Sequence, residues 1–372
     1  EDIVSVSDGT TSLSTGADND VIDISGGINT LNSGFGDDTV SLSGGDNKVN
    51  SGSGNDTISL ISGENIINAG EGDDIITASG GVNELDGGPG NDRLNIISSG
   101  VVTLPIAANV ESFFISDTVH QSLDFSFSTS LNSIELDSGT TVDNATINTV
   151  LASGQSLTLD SITDGDTAAA SLSDGGIKIS QPNSTTSLDL TLDDIGPAAA
   201  STNENVVIDI AGANVSDLNI TSANDSFVVL ENSGASISTI NIAGSGTLSL
   251  IGALPNSITT INAGTSSTSF TVSTGTAGAT ITGSSANDVI VLGGGTNNVD
   301  SGNGNDAITL STGNDTVNTG SGSDTVTASS GTNNITTGAS GDQITLSGGT
   351  NTVNSGASND QLTISGGTNN ID

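Results

Sequence analysis

The sequence predicts an all-β protein, a parallel β-solenoid whose turns are 18 residues long at both ends and wider in between. Three observations carry that expectation. Aspartates recur every 18 positions at Asp2, Asp20, Asp38, Asp56, Asp74 and Asp92, and the same metre returns at Asp288, Asp306, Asp324, Asp342 and Asp360. Two residues after each of the first six stands an apolar residue: Val4, Ile22, Val40, Ile58, Ile76 or Leu94. Each 18-residue unit holds two short apolar runs of period two and two tight Gly-rich turns, which reads as strand–turn–strand–turn and leaves no room for a helix.

In the N-terminal block, residues 1–97, one strand of each unit offers pairs such as Ile22 and Ile24, or Val40 and Leu42, on a single face, because side chains alternate along a strand. Nine residues after the aspartate, the opposite half carries Asn29, Asn47, Asn65 or Asn83, followed by Leu31, Val49, Ile67 or Leu85. The first unit has Thr11 and Leu13 there. A lone unit cannot bury its apolar face, so successive units are expected to stack about 4.8 Å apart as parallel sheets around a thin aliphatic core. The central region, residues 98–283, loses the metre but keeps the strands. From Val215 onward VSDLNI, ISTINI and ITTINA recur at intervals of 22 and 21 residues, each followed by a second strand, which describes a wider coil. Phe113, Phe114, Phe125 and Phe127 read as core of that coil. Over about 139–205 two readings stay open, a continued solenoid or a small β-sandwich inserted through hairpin-like strands. The C-terminal block, residues 284–372, restores the 18-residue unit, its opposite half reading Asn297, Asp315, Asn333, Asn351 and Asn369.

Three basic residues, Lys48, Arg93 and Lys178, face 43 acidic ones, for a formal charge of −40. Self-repulsion on that scale opposes a compact state, so bound cations are expected. No basic stripe is present to neutralise phosphates, which argues against nucleic acid as a partner. No apolar run reaches membrane-spanning length, so no membrane insertion is expected. Arg93 lies inside a repeat next to Asp92, Lys48 and Lys178 are isolated, all three read as charges decorating a surface, and the only histidine, His120, reads as a solvated loop residue. No poised acid–base or nucleophilic pair is in view, and the chain is not expected to be an enzyme. The lack of cysteine rules out disulfide staples without excluding secretion. With neither an initiator Met nor an export signal, the sequence is expected to be a processed chain or an excised piece.

The stretches SGFGDDTVS (33–41), SGSGNDTIS (51–59), AGEGDDIIT (69–77), GGPGNDRLN (87–95) and SGNGNDAIT (301–309) resemble the nonapeptide GGxGxDxUx, with U a large apolar residue, of the RTX (repeats-in-toxin) calcium-binding β-roll. The resemblance covers residues 1–97 and 284–372. It implies calcium between stacked turns, held by the motif aspartates Asp2, Asp20, Asp38, Asp56, Asp74, Asp92, Asp288, Asp306, Asp324, Asp342 and Asp360. Backbone carbonyls of the loops would join them, at Gly34, Gly36, Gly52, Gly54, Gly70, Gly72, Gly88, Gly90, Gly302, Gly304, Gly320 and Gly322. Calcium takes six to eight oxygen ligands of these kinds. The first motif glycine is usually Ser or Ala here. In GSSAND, GASGD and GASND the second is replaced as well, so the turns ending at Asp288, Asp342 and Asp360 are expected to bind more weakly, and the turn at Asp2 is incomplete. For the opposite edge two readings stay open: stacked asparagines forming an amide ladder, or calcium on both edges with Asn carbonyl oxygens as ligands. Asp315 is the local exception, where a metal is plausible.

The function expected from this resemblance is that of a non-enzymatic extracellular protein, a calcium-stabilised β-solenoid subunit of a bacterial surface layer, matrix fibre or filament. The Asp/Asn/Thr/Gly-rich, nearly Lys-free composition is similar to that of bacterial surface-layer proteins with RTX repeats. The alternatives are the repeat region of a secreted RTX enzyme or toxin, and an adhesin module whose partner is a cell-surface glycan. Because the sequence begins and ends inside the 18-residue metre without a capping repeat, its main expected partner is itself, stacked head-to-tail.

Folding of the terminal blocks is expected to follow calcium, since aligned carboxylates repel until a cation sits between them. Circular dichroism in excess chelator should lose β signal, regained with calcium and poorly with magnesium, whose octahedral demand is stricter. A spectrum and melting temperature indifferent to chelator would overturn the cation reading.

Overall fold

The computed structural model describes residues 1–97, 106–116, 122–124, 131–136, 146–152, 154–162, 176–181, 186–196, 206–211, 214–233 and 236–372. Among these residues there is no helix, and the strands run parallel to their sheet neighbours. They form two compact units, Glu1–Thr141 with Thr149–Asp160, and Val142–Asn148 with Ser161–Asp372.

In the first unit each 18-residue turn gives one strand to each of two sheets. Val21–Ile24, Thr39–Leu42, Thr57–Leu60 and Ile75–Ala78 follow the aspartates. Ile28–Phe35, Asp46–Ser53, Glu64–Glu71 and Val82–Asp86 make the facing sheet. Every turn lies in the same register on the one before, so that Ile22 pairs with Val40, Val40 with Ile58, and Asn47 with Asn65. Alternate residues of each strand are buried, as the period-two pattern requires. Ile58, Leu60 and Ile67 are the large aliphatic side chains in the core of one turn, each at most 2 % exposed. Burying each such side chain contributes about 1.5–3 kcal/mol, which a turn obtains only with neighbours above and below it. The sheet then passes through Arg93–Ile97, Ser112–Ser116, Ser133–Leu136 and Ser156–Asp160.

The second unit is built the same way, with coils that narrow along the chain. Asn219 bonds to Asp189 across 30 residues, Asn241 to Asn219 across 22, and Asp306 to Asp324 across 18. For 139–205 the described strands take the solenoid alternative. Ser156–Asp160 pairs with Ser133–Leu136, Gly176–Ser180 with Val206–Ile210, and Ser187–Asp193 with Asp217–Ser222, each time in parallel. The hairpin-like reading of those runs does not hold among the described residues, because each strand finds its partner a full coil away.

Three readings need correction. Phe113 is core, but Phe114 points the other way: half-buried, it lies under the Arg93 guanidinium, 4.7 Å from its ring centroid. Arg93 in turn reaches Glu135 at 3.6 Å, so it does more than decorate the surface. Lys178 is not an isolated charge, since its Nζ stands 3.4 Å from Oδ2 of Asp209, a fully buried carboxylate one coil on. Asp209 also accepts from the Ser233 amide at 2.8 Å and from its hydroxyl, which ties a loop to the strand Val206–Ile210. Phe125, Phe127 and His120 lie outside the described residues.

Candidate metal edge

The aspartates that mark the metre stand in one column in each terminal block, at the junction of the Gly-rich loop and the following strand. The loop glycines are dictated by the stack. At Gly54 φ is +127°, and a Cβ there would stand 2.2 Å from the Gly36 carbonyl oxygen; at Gly52 φ is +113°, and a Cβ would meet the Gly34 carbonyl at 2.0 Å. Any side chain would push the turns apart. Gly70, Gly72, Gly88, Gly90, Gly302, Gly304, Gly320 and Gly322 meet a carbonyl of the adjoining turn in the same way. Where serine replaces the second glycine, Ser340 and Ser358 are held at φ +91° and +96°, a region that L side chains disfavour. The serine at the first motif position has its own role. The Ser33 hydroxyl donates to the Ser51 carbonyl and the Ser51 hydroxyl to the Ala69 carbonyl, both at 2.9 Å, inside the stack.

Each motif aspartate reaches back by one turn. The Asp38 amide donates to Oδ1 of Asp56 at 2.8 Å, that of Asp56 to Asp74 at 2.7 Å, and that of Asp306 to Asp324 at 2.8 Å. The same bond links Asp2 to Asp20, Asp20 to Asp38, Asp74 to Asp92, Asp288 to Asp306, Asp324 to Asp342 and Asp342 to Asp360. The other oxygen, Oδ2, has no partner in Asp20, Asp38, Asp56, Asp74, Asp92, Asp306, Asp324 and Asp342, although it is buried. Burial pushes the Asp56 carboxyl up to about 7, helped by Asp74 and Asp38, while the Asp38 amide pulls it down. Asp92 and Asp306 rise to about 6 and Asp74 and Asp324 also rise, burial being the largest cause throughout. An unpaired buried carboxylate oxygen is expensive unless something positive meets it. No group of three or more carboxylates or histidines converges among the described residues. A cation here would therefore draw on one or two carboxylates and on loop carbonyls, which is chemistry that suits calcium.

Asp288 is different. Both its oxygens are engaged, Oδ2 by the Ser284 amide at 2.8 Å and Oδ1 by the Ser284 hydroxyl at 3.0 Å and the Phe270 amide at 3.1 Å. Asp2 is exposed and Asp360 half-exposed, so neither shares the burial of the column.

A second column went unnoticed in the sequence. The residue just before each motif aspartate, Asn19, Asp37, Asn55 or Asp73, uses Oδ1 to accept the amide of the corresponding residue one turn later, at 2.8–2.9 Å. In the C-terminal block Asn287 and Asn305 do the same. The signal was present, because an Asp or Asn precedes the motif aspartate in GDD and GND alike.

On the opposite edge the asparagines form a ladder. Asn29 donates through Nδ2 to Oδ1 of Asn47, Asn47 to Asn65 and Asn65 to Asn83, at 2.8–2.9 Å. The same nitrogen also donates to the carbonyl three residues back, Gly26, Gly44 or Ser62. Asn333, Asn351 and Asn369 repeat this. Within these runs each inner Oδ1 is already taken by an N–H, which favours the ladder over metal held through Asn oxygens.

A model of the RTX calcium-binding nonapeptide repeat matches residues 24–58, 61–94, 274–308, 293–326, 303–335 and 327–362. The chain carries RTX repeats. These repeats bind calcium, and the column of unpartnered Oδ2 atoms runs through the matched turns. No curated protein and no solved structure matches the chain.

Two outcomes follow from the asymmetry of the RTX turns. Asn65→Ala should cost about 1–3 kcal/mol with or without calcium, since it breaks hydrogen bonds alone. Asp56→Ala should cost more than that in calcium and less in chelator, where it also removes a buried charge. Thermal melts of both variants in both buffers check this, and equal losses in calcium would instead support metal on both edges.

The pH dependence should be lost with calcium. Asp56 titrates near 7 in the folded chain against an ordinary 3.8, so between those values the folded state holds the extra proton. In chelator, stability should therefore fall as pH rises from about 4 to about 7. Calcium must displace that proton, so saturating calcium should flatten the dependence over the same window, and adding calcium at pH 6 should release protons to an indicator dye.

Proposed function

We propose that the chain is a non-enzymatic structural protein of the bacterial cell exterior, a β-solenoid made rigid by calcium and assembling with further copies of itself into a surface layer, matrix fibre or filament. The observation that carries this reading is the column of buried Oδ2 atoms, which makes the order of each terminal block conditional on a cation. In this reading Asp20, Asp38, Asp56, Asp74, Asp92, Asp306, Asp324 and Asp342 hold calcium together with loop carbonyls. Asp2 and Asp360 contribute more weakly, and Asp288 contributes least because Ser284 already satisfies it. Calcium supplies positive charge and many oxygen contacts there, and the chain supplies the register that keeps the ligands aligned. Sites with few carboxylates belong to the weak end of calcium binding, about 10⁻⁴–10⁻³ M, the range of extracellular modules. RTX repeats occur in secreted bacterial proteins, and a formal charge of −40 with three basic residues suits a surface that calcium can bridge between copies.

Electron microscopy and light scattering of the purified chain, in millimolar calcium and then in chelator, test the proposal. Ordered assemblies that grow with calcium and dissolve in chelator are the expected result. A chain that stays a monodisperse monomer at high concentration and saturating calcium would overturn it and favour the repeat region of a secreted enzyme, toxin or adhesin.

A further inference from the structure

In the wide coils of the second unit, far from the motif columns, an amine is held against a buried carboxylate. Lys178 and Asp209 are register neighbours in the parallel strands Gly176–Ser180 and Val206–Ile210. The Asp209 side chain has no exposure to solvent, while that of Lys178 keeps 37 %. Ser233, just beyond the next strand of the sheet, Ser226–Glu231, grips both carboxylate oxygens. Its amide donates to Oδ1 at 2.8 Å and its hydroxyl donates to Oδ2. Lys178 Nζ stands 3.4 Å from Oδ2. That is longer than the usual N–H···O bond of about 2.7–3.2 Å, and it falls in the range of about 3–3.5 Å at which positioned groups react. The other basic side chains lack this setting. Arg93 carries a guanidinium, which stays protonated, and Lys48 is exposed. Among the described residues, Lys178 is the one lysine paired with a fully buried carboxylate.

We propose that Lys178 and Asp209 condense in the folded chain into an amide, a covalent staple between two coils. The ion pair already holds the elements of an amide and one water. A bond forms between Nζ and Cγ of Asp209, and the bond from Cγ to Oδ2 breaks. Oδ2 leaves as water with the two protons that the ammonium gives up, so the charges cancel and nothing is oxidised or reduced. Ser233 serves both ends of the step. Its amide faces Oδ1, where negative charge grows in the tetrahedral intermediate. Its hydroxyl, on Oδ2, can hand a proton to the leaving oxygen and take one from the amine. Burial favours the product, because desolvation costs the two ions far more than a neutral amide. It also protects the product, since hydrolysis would need water at a carboxyl group that solvent does not reach. The staple joins positions 31 residues apart in a chain without cysteine, and it owes nothing to calcium.

Mass spectrometry of the full chain, folded in calcium and then denatured, tests this. The expected intact mass is one water below that of the sequence. Trypsin gives the second readout, because it cuts after lysine and arginine and the chain has only Lys48, Arg93 and Lys178. An acylated Lys178 resists it, so the denatured chain should be cut at Lys48 and Arg93 and leave 94–372 as one piece. A different protease should then release a branched peptide that joins Lys178 to Asp209. Lys178→Arg keeps the ion pair but carries no usable amine, and it should show the full mass. Asp209→Ala should show the full mass and restore cutting at Lys178. Lys48→Arg should keep the deficit. Ser233→Ala, which removes the hydroxyl alone, should slow the loss of water. A parent chain of full mass that trypsin cuts at Lys178 overturns the proposal and leaves an ordinary ion pair. A water deficit that persists in Lys178→Arg overturns it as well, since the water was then lost elsewhere.

Discussion

One carboxylate, used twice, governs the terminal blocks. In eight of the motif aspartates, Asp56 among them, Oδ1 fastens the turn to the one before, and Oδ2 is thereby carried into the interior with nothing to meet it. The bond that sets the register also creates the charge problem. Unit charges about 4 Å apart repel by about 4 kcal/mol at an effective dielectric of 20. A turn recovers about 1.5–3 kcal/mol from each large aliphatic side chain it buries, and Ile58, Leu60 and Ile67, with the small Ala69, are all that one turn brings. The two terms are of the same order. A cation between carboxylates therefore decides whether the stack is worth forming, and the thinness of the core is what gives it that authority.

The two edges solve the same stacking problem with different chemistry. An amide donates and accepts, so asparagines one turn apart satisfy each other and need nothing from solution. A carboxylate only accepts, so the aspartate edge closes with help from outside. Half of each turn is held unconditionally and half on condition. That division lets the solenoid keep its register while its stiffness answers to the calcium around it.

Much of this was legible in the residues. The spacing of Asp38, Asp56 and Asp74 carried the turn length and the register, because a period that repeats without slip admits one stacking. The spacing of Asn47 and Asn65 carried the ladder for the same reason. What escaped notice needed neighbours that no local pattern displays. Asp209 and Lys178 lie 31 positions apart in the chain and meet because a wide coil brings one strand beside the other. Phe114 follows Phe113, and alternation alone says that one of the two faces outward, but Arg93 across it comes from the coil before. The second Asx column was written in every GDD and GND, yet it was hidden by the stronger aspartate beside it.

The paired columns at the loop have opposite senses. The motif aspartate lends its side chain to the turn before, and the residue preceding it lends its own to the turn after. Each junction between turns is thus clasped once from either side, and every junction in a regular run is the same object. Evolution can then treat length as a free variable in steps of 18 residues. A whole turn gained by duplication or lost by recombination leaves the junctions on both sides as they were, while a single residue inserted within a turn shears both columns at once. Related chains that differ in reach while sharing one cross-section are the natural product of such a rule.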